Sequence, residues 1–200
     1  MPKTERRTRA EMLDRTRERL IAAGREHFGD RGYAATSMDD LTASVGLTRG
    51  ALYHHFGGKS GLLEAVVRTL DDELCVQLRA ILRANEDPLA ALAERARAYI
   101  ELTQTARFQR IMFTDAPSVL PDAIEETSAA CIATLTEVVE QARARGIVAA
   151  DVSPIALATM INGAMADASR WVAAAPEAEH RARLEEATRS AAALVEGLRI

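Results

Sequence analysis

Met38-Asp39-Asp40-Leu41-Thr42-Ala43-Ser44-Val45-Gly46-Leu47-Thr48-Arg49-Gly50-Ala51-Leu52-Tyr53-His54-His55-Phe56-Gly57-Gly58-Lys59 is the stretch on which the fold turns. It holds two short helical patterns with Gly46 between them. Met38, Leu41 and Val45 share one face of the first at helical spacing, and Leu47 follows the turn. Leu52 and Phe56, four apart, make the matching face of the second. Ser37 and Thr48 each stand just before a helix, where a side-chain oxygen accepts from unpaired N–H groups. Two helices joined by a tight glycine turn make a helix-turn-helix. The outward face of the second carries Thr48, Arg49, Tyr53, His54 and His55, donors suited to phosphates and base edges, with no carboxylate among them.

Outward from that stretch, the composition points to helices throughout. The chain has 200 residues, enough for one large or two small cores. Its hydrophobic fraction is 48%, much of it alanine, while aromatics are only 4%. Alanine-rich sequence without alternating runs favours closely approaching helices over sheets. No apolar run reaches the roughly 18 residues that a membrane span needs, and the basic N-terminus lacks an apolar signal core. The expected location is therefore the cytoplasm. Cys75 and Cys131 have no metal-site spacing and read as buried free thiols.

The net charge of −4 conceals an asymmetry. Through Arg68 there are 12 Lys/Arg against 9 Asp/Glu, a net of +3; the rest has 13 against 20, a net of −7. A globally acidic chain repels nucleic acid at long range, so any DNA-binding surface must be local. Lys3, Arg6, Arg7 and Arg9 form a basic arm, open to reading as a solvated tail or as a phosphate or minor-groove contact.

The periodicity predicts a first helix over 11–30, ended by Gly32, then the pair already described. A long helix over 59–84 carries Leu62, Leu63, Val66, Leu70, Leu74, Leu78 and Leu82 on one side. Pro88 opens a helix reaching about Thr105, and a short one lies around 108–114. Helices over 120–145, from Ser153-Pro154, and from Pro176 complete the chain. No strand pattern, internal repeat or Gly/Ser linker is present.

The run Leu-Tyr-His-His-Phe-x-x-Lys-x-x-Leu at Leu52 to Leu62 resembles the signature of the tetracycline-repressor (TetR) family. Gly46-Leu47-Thr48-Arg49-Gly50 and the upstream Gly32-Tyr33-Ala34-Ala35-Thr36-Ser37-Met38 resemble it too. The close match covers the N-terminal third; beyond about Leu70 only the general helical plan is shared. The resemblance implies an all-α protein of nine helices. Residues 1–58 would form a three-helix helix-turn-helix DNA-binding domain, and 59–200 a helical ligand-binding and dimerisation domain. The chain departs from the family pattern at Thr42, where alanine is usual, at Gly58, a weaker cap than the usual Ser, Asn or Asp, and at Ser60 and Gly61.

By resemblance, Tyr53, His55 and Lys59 contact phosphates, and Thr48 and the backbone at Gly50 approach the duplex backbone. Thr36 and Ser37 stand at the start of the second helix, where hydroxyls and N–H groups suit a phosphate. Arg49 is the best base reader, because its fork matches guanine O6 and N7, although a phosphate contact is also open to it. His54 stands open to base, phosphate or solvent. In the second domain, Tyr99, Phe108, Met112, Met160 and Trp171 are either core or the wall of an apolar cavity. Small Ala164 and Ala168 with Met165, Trp171, Leu194 and Leu198 suit a four-helix-bundle dimer interface, or close the protomer core.

An enzyme finds no support. His54 and His55 are adjacent and diverge on a helix, and no His-x-x-x-His pair, nucleophile motif or phosphate loop is present. No cofactor and no metal is expected. The reading is a ligand-responsive transcriptional regulator, a homodimeric repressor released from a palindromic double-stranded DNA operator by a small, largely apolar effector. The alternative is a DNA-binding regulator whose second domain only dimerises or responds to a protein partner. Gly57, Gly58 and Gly61 are expected to soften the start of the fourth helix into a joint that passes on effector binding.

Overall fold

A computed structural model describes residues 9–200. The arm at Lys3, Arg6 and Arg7 lies outside the described residues, as does the side chain of Arg9. The first helix, α1 (Arg9–Arg31), ends where Gly32 takes a left-handed φ of 81° and its N–H returns to the Phe28 carbonyl at 2.9 Å. Along it Leu20, Gly24 and Phe28 are buried, whereas Leu13 is exposed. Gly24 allows α1 to lie close to the next long helix, since a Cβ there would stand 3.0 Å from Val66.

Both helices of the motif begin at their expected caps. Ser37 Oγ accepts from Asp40 N at the start of α2 (Met38–Ser44), and Thr48 Oγ1 accepts from Ala51 N at the start of α3 (Arg49–Phe56). Gly46 turns between them at a φ of 60°. Thr42 meets its crowded position by burying its hydroxyl on the Met38 carbonyl at 2.9 Å.

The glycines that open α4 (Lys59–Ala84) have another role than softness. Gly57 caps α3 in the left-handed region at 71°, and Gly58 stands at 150°, so both occupy conformations that L side chains avoid. At Gly61 an added Cβ would fall 2.0 Å from the Phe56 carbonyl oxygen. These residues permit a tight α3–α4 corner, and the expected pliable joint gives way to a close-packed one.

Then follow α5 (Pro88–Leu102), capped by Asp87; α6 (Ala106–Phe108); a π-helical turn (Gln109–Asp115); and α7 (Ala116–Val119). The stretch 106–119 runs on as one continuous helix, so nine helices result among the described residues if it is counted once. Its π turn has no local signal in the sequence. Last come α8 (Pro121–Ala144), α9 (Pro154–Ala173) and α10 (Glu177–Glu196).

Two cores form. One joins Leu20, Phe28, Leu41 and Leu52 to Leu62, Val66 and Leu70 of α4 and to Phe108, Ile111 and Ala116. Packing therefore runs through the expected division at 58/59, and it draws in the stretch 106–119. The other core is built by α5, α8, α9 and α10. Met165 is buried inside it at 3% exposure, so it belongs to the protomer and offers no interface. Met160, Trp171 and Leu194 face outward instead. No helix among the described residues is long and apolar enough to cross a membrane.

Candidate DNA-contact face and internal cavity

The local folding of α2 and α3 sets out one polar face. Arg49, Gly50, Tyr53 and His54 are exposed there, with Thr48 at the helix start and half-buried His55 one residue on. Arg49 is held at both ends. Its Nη1 lies 3.5 Å from Asp39 Oδ2, and its guanidinium stands 5.5 Å over the Tyr53 ring. A hydrogen bond to the Tyr53 hydroxyl, with Asp39 behind it, pushes the Arg49 pKa up further. An exposed pair of this kind is weak, so it would open at small cost. His55 packs edge-on to His54 at 5.4 Å and against Phe56 at 6.0 Å, which fixes its ring.

Two residues of the expected contact set are turned inward. Thr36 is buried, and its hydroxyl donates to the His27 and Gly32 carbonyls at 3.1 and 2.8 Å. It braces the α1–α2 corner, which leaves Ser37 as the hydroxyl available at that helix start. Lys59 donates from Nζ to the Ala34 carbonyl at 3.2 Å, and its ammonium lies 4.7 Å over the Tyr33 ring. Burial lowers its pKa. Lys59 thus ties the start of α4 to the loop before α2, with only part of its donor capacity left for a phosphate. Arg19, which donates to the Val45 carbonyl, braces the turn itself. Its helical distance from the motif hid that role.

An internal cavity of about 310 Å³, with a mouth open to solvent beside Gly163 and Arg170, lies among α4, α5, the 106–119 stretch, α8 and α9. Tyr99, Phe108 and Met112 line it as the sequence suggested. Met160 and Trp171 do not. Met160 is 70% exposed, and Trp171 is half-exposed under the Arg183 guanidinium at 5.1 Å. The side of α9 that meets the cavity carries Asn162, Gly163, Ala166 and Arg170 instead. Met160 and Trp171 stand on the outward side of α9, so side-chain bulk does not mark the side that meets the cavity.

The sequence reading also missed charge in the wall. Arg95 and Asp71 both line the cavity. Arg95 shares the stripe of Leu92, Ala96 and Tyr99 on α5, and an arginine within an apolar stripe was a legible signal. Burial, helped by Asp72, raises the Asp71 carboxyl above its ordinary value, and burial likewise raises the Cys75 thiol. The Tyr99 phenol is pushed up to about 12 by its burial and stays a neutral donor. Cys75 and Cys131 are free thiols, half-buried on the same wall.

The cavity wall also grips the end of α1 and the loop that leads to α2. Arg107 forms a forked pair with Asp30 at 2.7 and 3.0 Å, which holds the Asp30 carboxyl below its usual range. Arg110 donates to the Asp30 carbonyl at 2.6 Å. Asp115 accepts from the Tyr33 backbone N–H at 2.8 Å. Gly29 makes room, because a Cβ there would stand 2.6 Å from the Arg107 side chain. The π turn is also anchored by Gln109, which donates to the Thr103 carbonyl and to Ser169 Oγ, both at 2.8 Å.

Known proteins share both halves of this arrangement. Residues 20–66 match the model of bacterial regulatory proteins of the tetR family, and residues 89–198 match that of the tetracyclin repressor-like C-terminal domain. The solved structure of a TetR-family transcriptional regulator from Pectobacterium atrosepticum superposes with a TM-score of 0.81 at 42% identity, covering 97% of this chain and 98% of that one. The transcriptional regulator UidR of Escherichia coli is 27% identical over 190 residues, 92% of each chain. The transcriptional repressor KstR2 of Mycolicibacterium smegmatis is 32% identical over 106 residues, and the match spans 53% of this chain and about half, 52%, of that repressor. With its helix-turn-helix and its helical C-terminal domain both matched, the chain belongs to the TetR family of transcriptional regulators.

Proposed function

We propose that this regulator is a homodimeric repressor that leaves its operator when a small molecule fills the internal cavity. Residues 1–58 act as the DNA-binding unit and 59–200 as the effector and dimerisation unit. One observation carries the ligand response: the wall segment 106–119 both lines the cavity and holds the end of α1 through Arg107, Arg110 and Asp115. A ligand that moves this segment moves α1, and α3 with it through their common core. In a dimer the two α3 helices would enter successive major grooves about 34 Å apart on a near-palindromic site. A change in that spacing would lower affinity for DNA and leave free dimer favoured. Dimerisation is supported by the exposed Met160, Trp171 and Leu194 on the last two helices.

Operator selection from random DNA, followed by a screen for compounds that release the selected site, tests the whole reading. Failure to enrich a two-fold site at moderate salt overturns it; a site that no compound releases favours a second domain that only dimerises. Transmission has its own test. Asp115→Ala removes the acceptor of the Tyr33 N–H and should raise the compound concentration needed for release several-fold. Superimposable release curves would count against the 106–119 route.

A further inference from the structure

A buried cation without an acidic partner among the described residues stands in the cavity wall. Arg95 is 4% exposed, and its buried Nε has no hydrogen-bond partner. Its one hydrogen bond runs from Nη2 to Cys131 Sγ at 3.0 Å, and a neutral thiol is a poor acceptor for a guanidinium. The nearest acid in sequence, Glu94, pairs with Arg97 at 3.6 Å on the outer face. Asp71 is the acid among the described lining residues, and it accepts from Cys75 at 3.8 Å and forms no ion pair with Arg95. A buried charge left unpaired is strongly unfavourable, and proteins keep such groups where a ligand completes them.

We propose that the cavity binds a small organic acid, with Arg95 receiving its anionic end and Leu74, Phe108, Met112 and Ile124 enclosing its apolar body. This deepens the regulatory reading above by naming the effector class, and it adds an anionic end to the small, largely apolar effector expected from the sequence. A guanidinium presents a planar fork that fits a carboxylate with two parallel hydrogen bonds. Tyr99, four residues along α5 on the same stripe, adds a neutral phenol donor on that wall, and the Asn162–Ser128 pair (3.1 Å) gives it further polarity. Arg170 is already engaged, by Asp167 and by the Phe113 ring at 5.5 Å, so Arg95 is the cation left to the ligand. The volume is at the small end of ligand cavities, roughly 300–1,000 Å³, which suits an acid of one ring system or a medium chain.

The test uses purified wild-type protein without DNA and three matched pairs of probes: octanoate and octanamide, 4-phenylbutyrate and 4-phenylbutyramide, 1-naphthaleneacetate and 1-naphthaleneacetamide. Calorimetry should find at least one acid bound about tenfold or more tighter than its amide. Arg95→Met should erase that preference while the ligand-free variant melts no lower than wild type, because an unpaired buried charge has gone. Arg95→Lys should keep part of the preference, and it serves if the methionine variant does not fold. Amides bound as tightly as acids, a preference that survives in Arg95→Met, or no binding by any of the three acids would each overturn the proposal. An acid that binds through Arg95 without releasing a selected operator supports the site and counts only against the regulatory reading.

Discussion

The DNA-contact region and the cavity are built by opposite means. In the first, 22 consecutive residues, Met38 to Lys59, carry both helices, their turn and most of the exposed contact face. Each feature follows from neighbours in sequence: Thr48 caps α3, Gly57 ends it, and Leu52 lies buried beneath Tyr53. The cavity draws on residues from Asp71 to Arg170, contributed by helices distant in the chain. Its character depends on which side of each helix is turned inward, and only the assembled bundle decides that. Local chemistry therefore specifies the proposed DNA-contact face, and tertiary packing specifies the cavity.

The largest effect should come from charging the outer face of the last helices. Leu194 is 53% exposed in the protomer, so Leu194→Glu leaves the fold intact and buries an unpaired carboxylate only on dimerisation. The expected loss is about 3–5 kcal/mol of association, read as a fall to single-chain mass by light scattering together with lost operator binding. Met165→Glu, inside the protomer core, should instead unfold the chain. If both variants stay dimeric, the proposed interface lies elsewhere. Next in size is Gly61→Ala, which forces a methyl group against the Phe56 carbonyl. It should lower stability by about 1–3 kcal/mol in denaturant titration and weaken DNA binding through a displaced α3–α4 corner. An unchanged melting curve would restore the view of this corner as a pliable joint.

How far the sequence reached differs between the two regions for physical reasons. Helix order, both caps of the motif and the buried face of α4 were legible, because capping chemistry and a period of 3.6 are written locally. The roles of Thr36 and Lys59 were not. Each is a donor beside a DNA-contact helix, and only the folded corner shows their protons directed at the His27, Gly32 and Ala34 carbonyls. In the cavity, reading bulk as inward misplaced Met160 and Trp171, which stand on an outer face. The π turn was hidden altogether, since Gln109 anchors it through Thr103, just past the end of α5, and Ser169 on α9.

A smaller effect tests the local side of the comparison. Arg49→Ala leaves α3 folded, since that side chain touches only Asp39 and Tyr53 on the surface. Affinity for a selected operator should fall about tenfold to a hundredfold, with preference relaxed at one base position per half-site. A uniform loss across sequences, with an altered salt slope, would reassign Arg49 to a phosphate.

The smallest effect has the opposite sign to its counterpart at Gly61. Gly163 lies within α9 beside the cavity, and a Cβ built there meets nothing within 4 Å. Its φ is ordinary for a helix, so alanine adds no strain and removes the extra backbone freedom that glycine contributes to the unfolded chain. Gly163→Ala should therefore raise stability by up to about 1 kcal/mol, visible as a higher denaturant midpoint at unchanged slope. The same methyl group narrows the cavity mouth, so the larger of two acids that bind wild type should lose more affinity than the smaller. A lower midpoint would mean that this face of α9 is already filled in the working protein, by a neighbouring side chain or by a second copy of the chain. Gly61→Ala and Gly163→Ala thus set one substitution against two surroundings: a corner closed by its own neighbours in sequence, and a wall held open by the packing of distant helices.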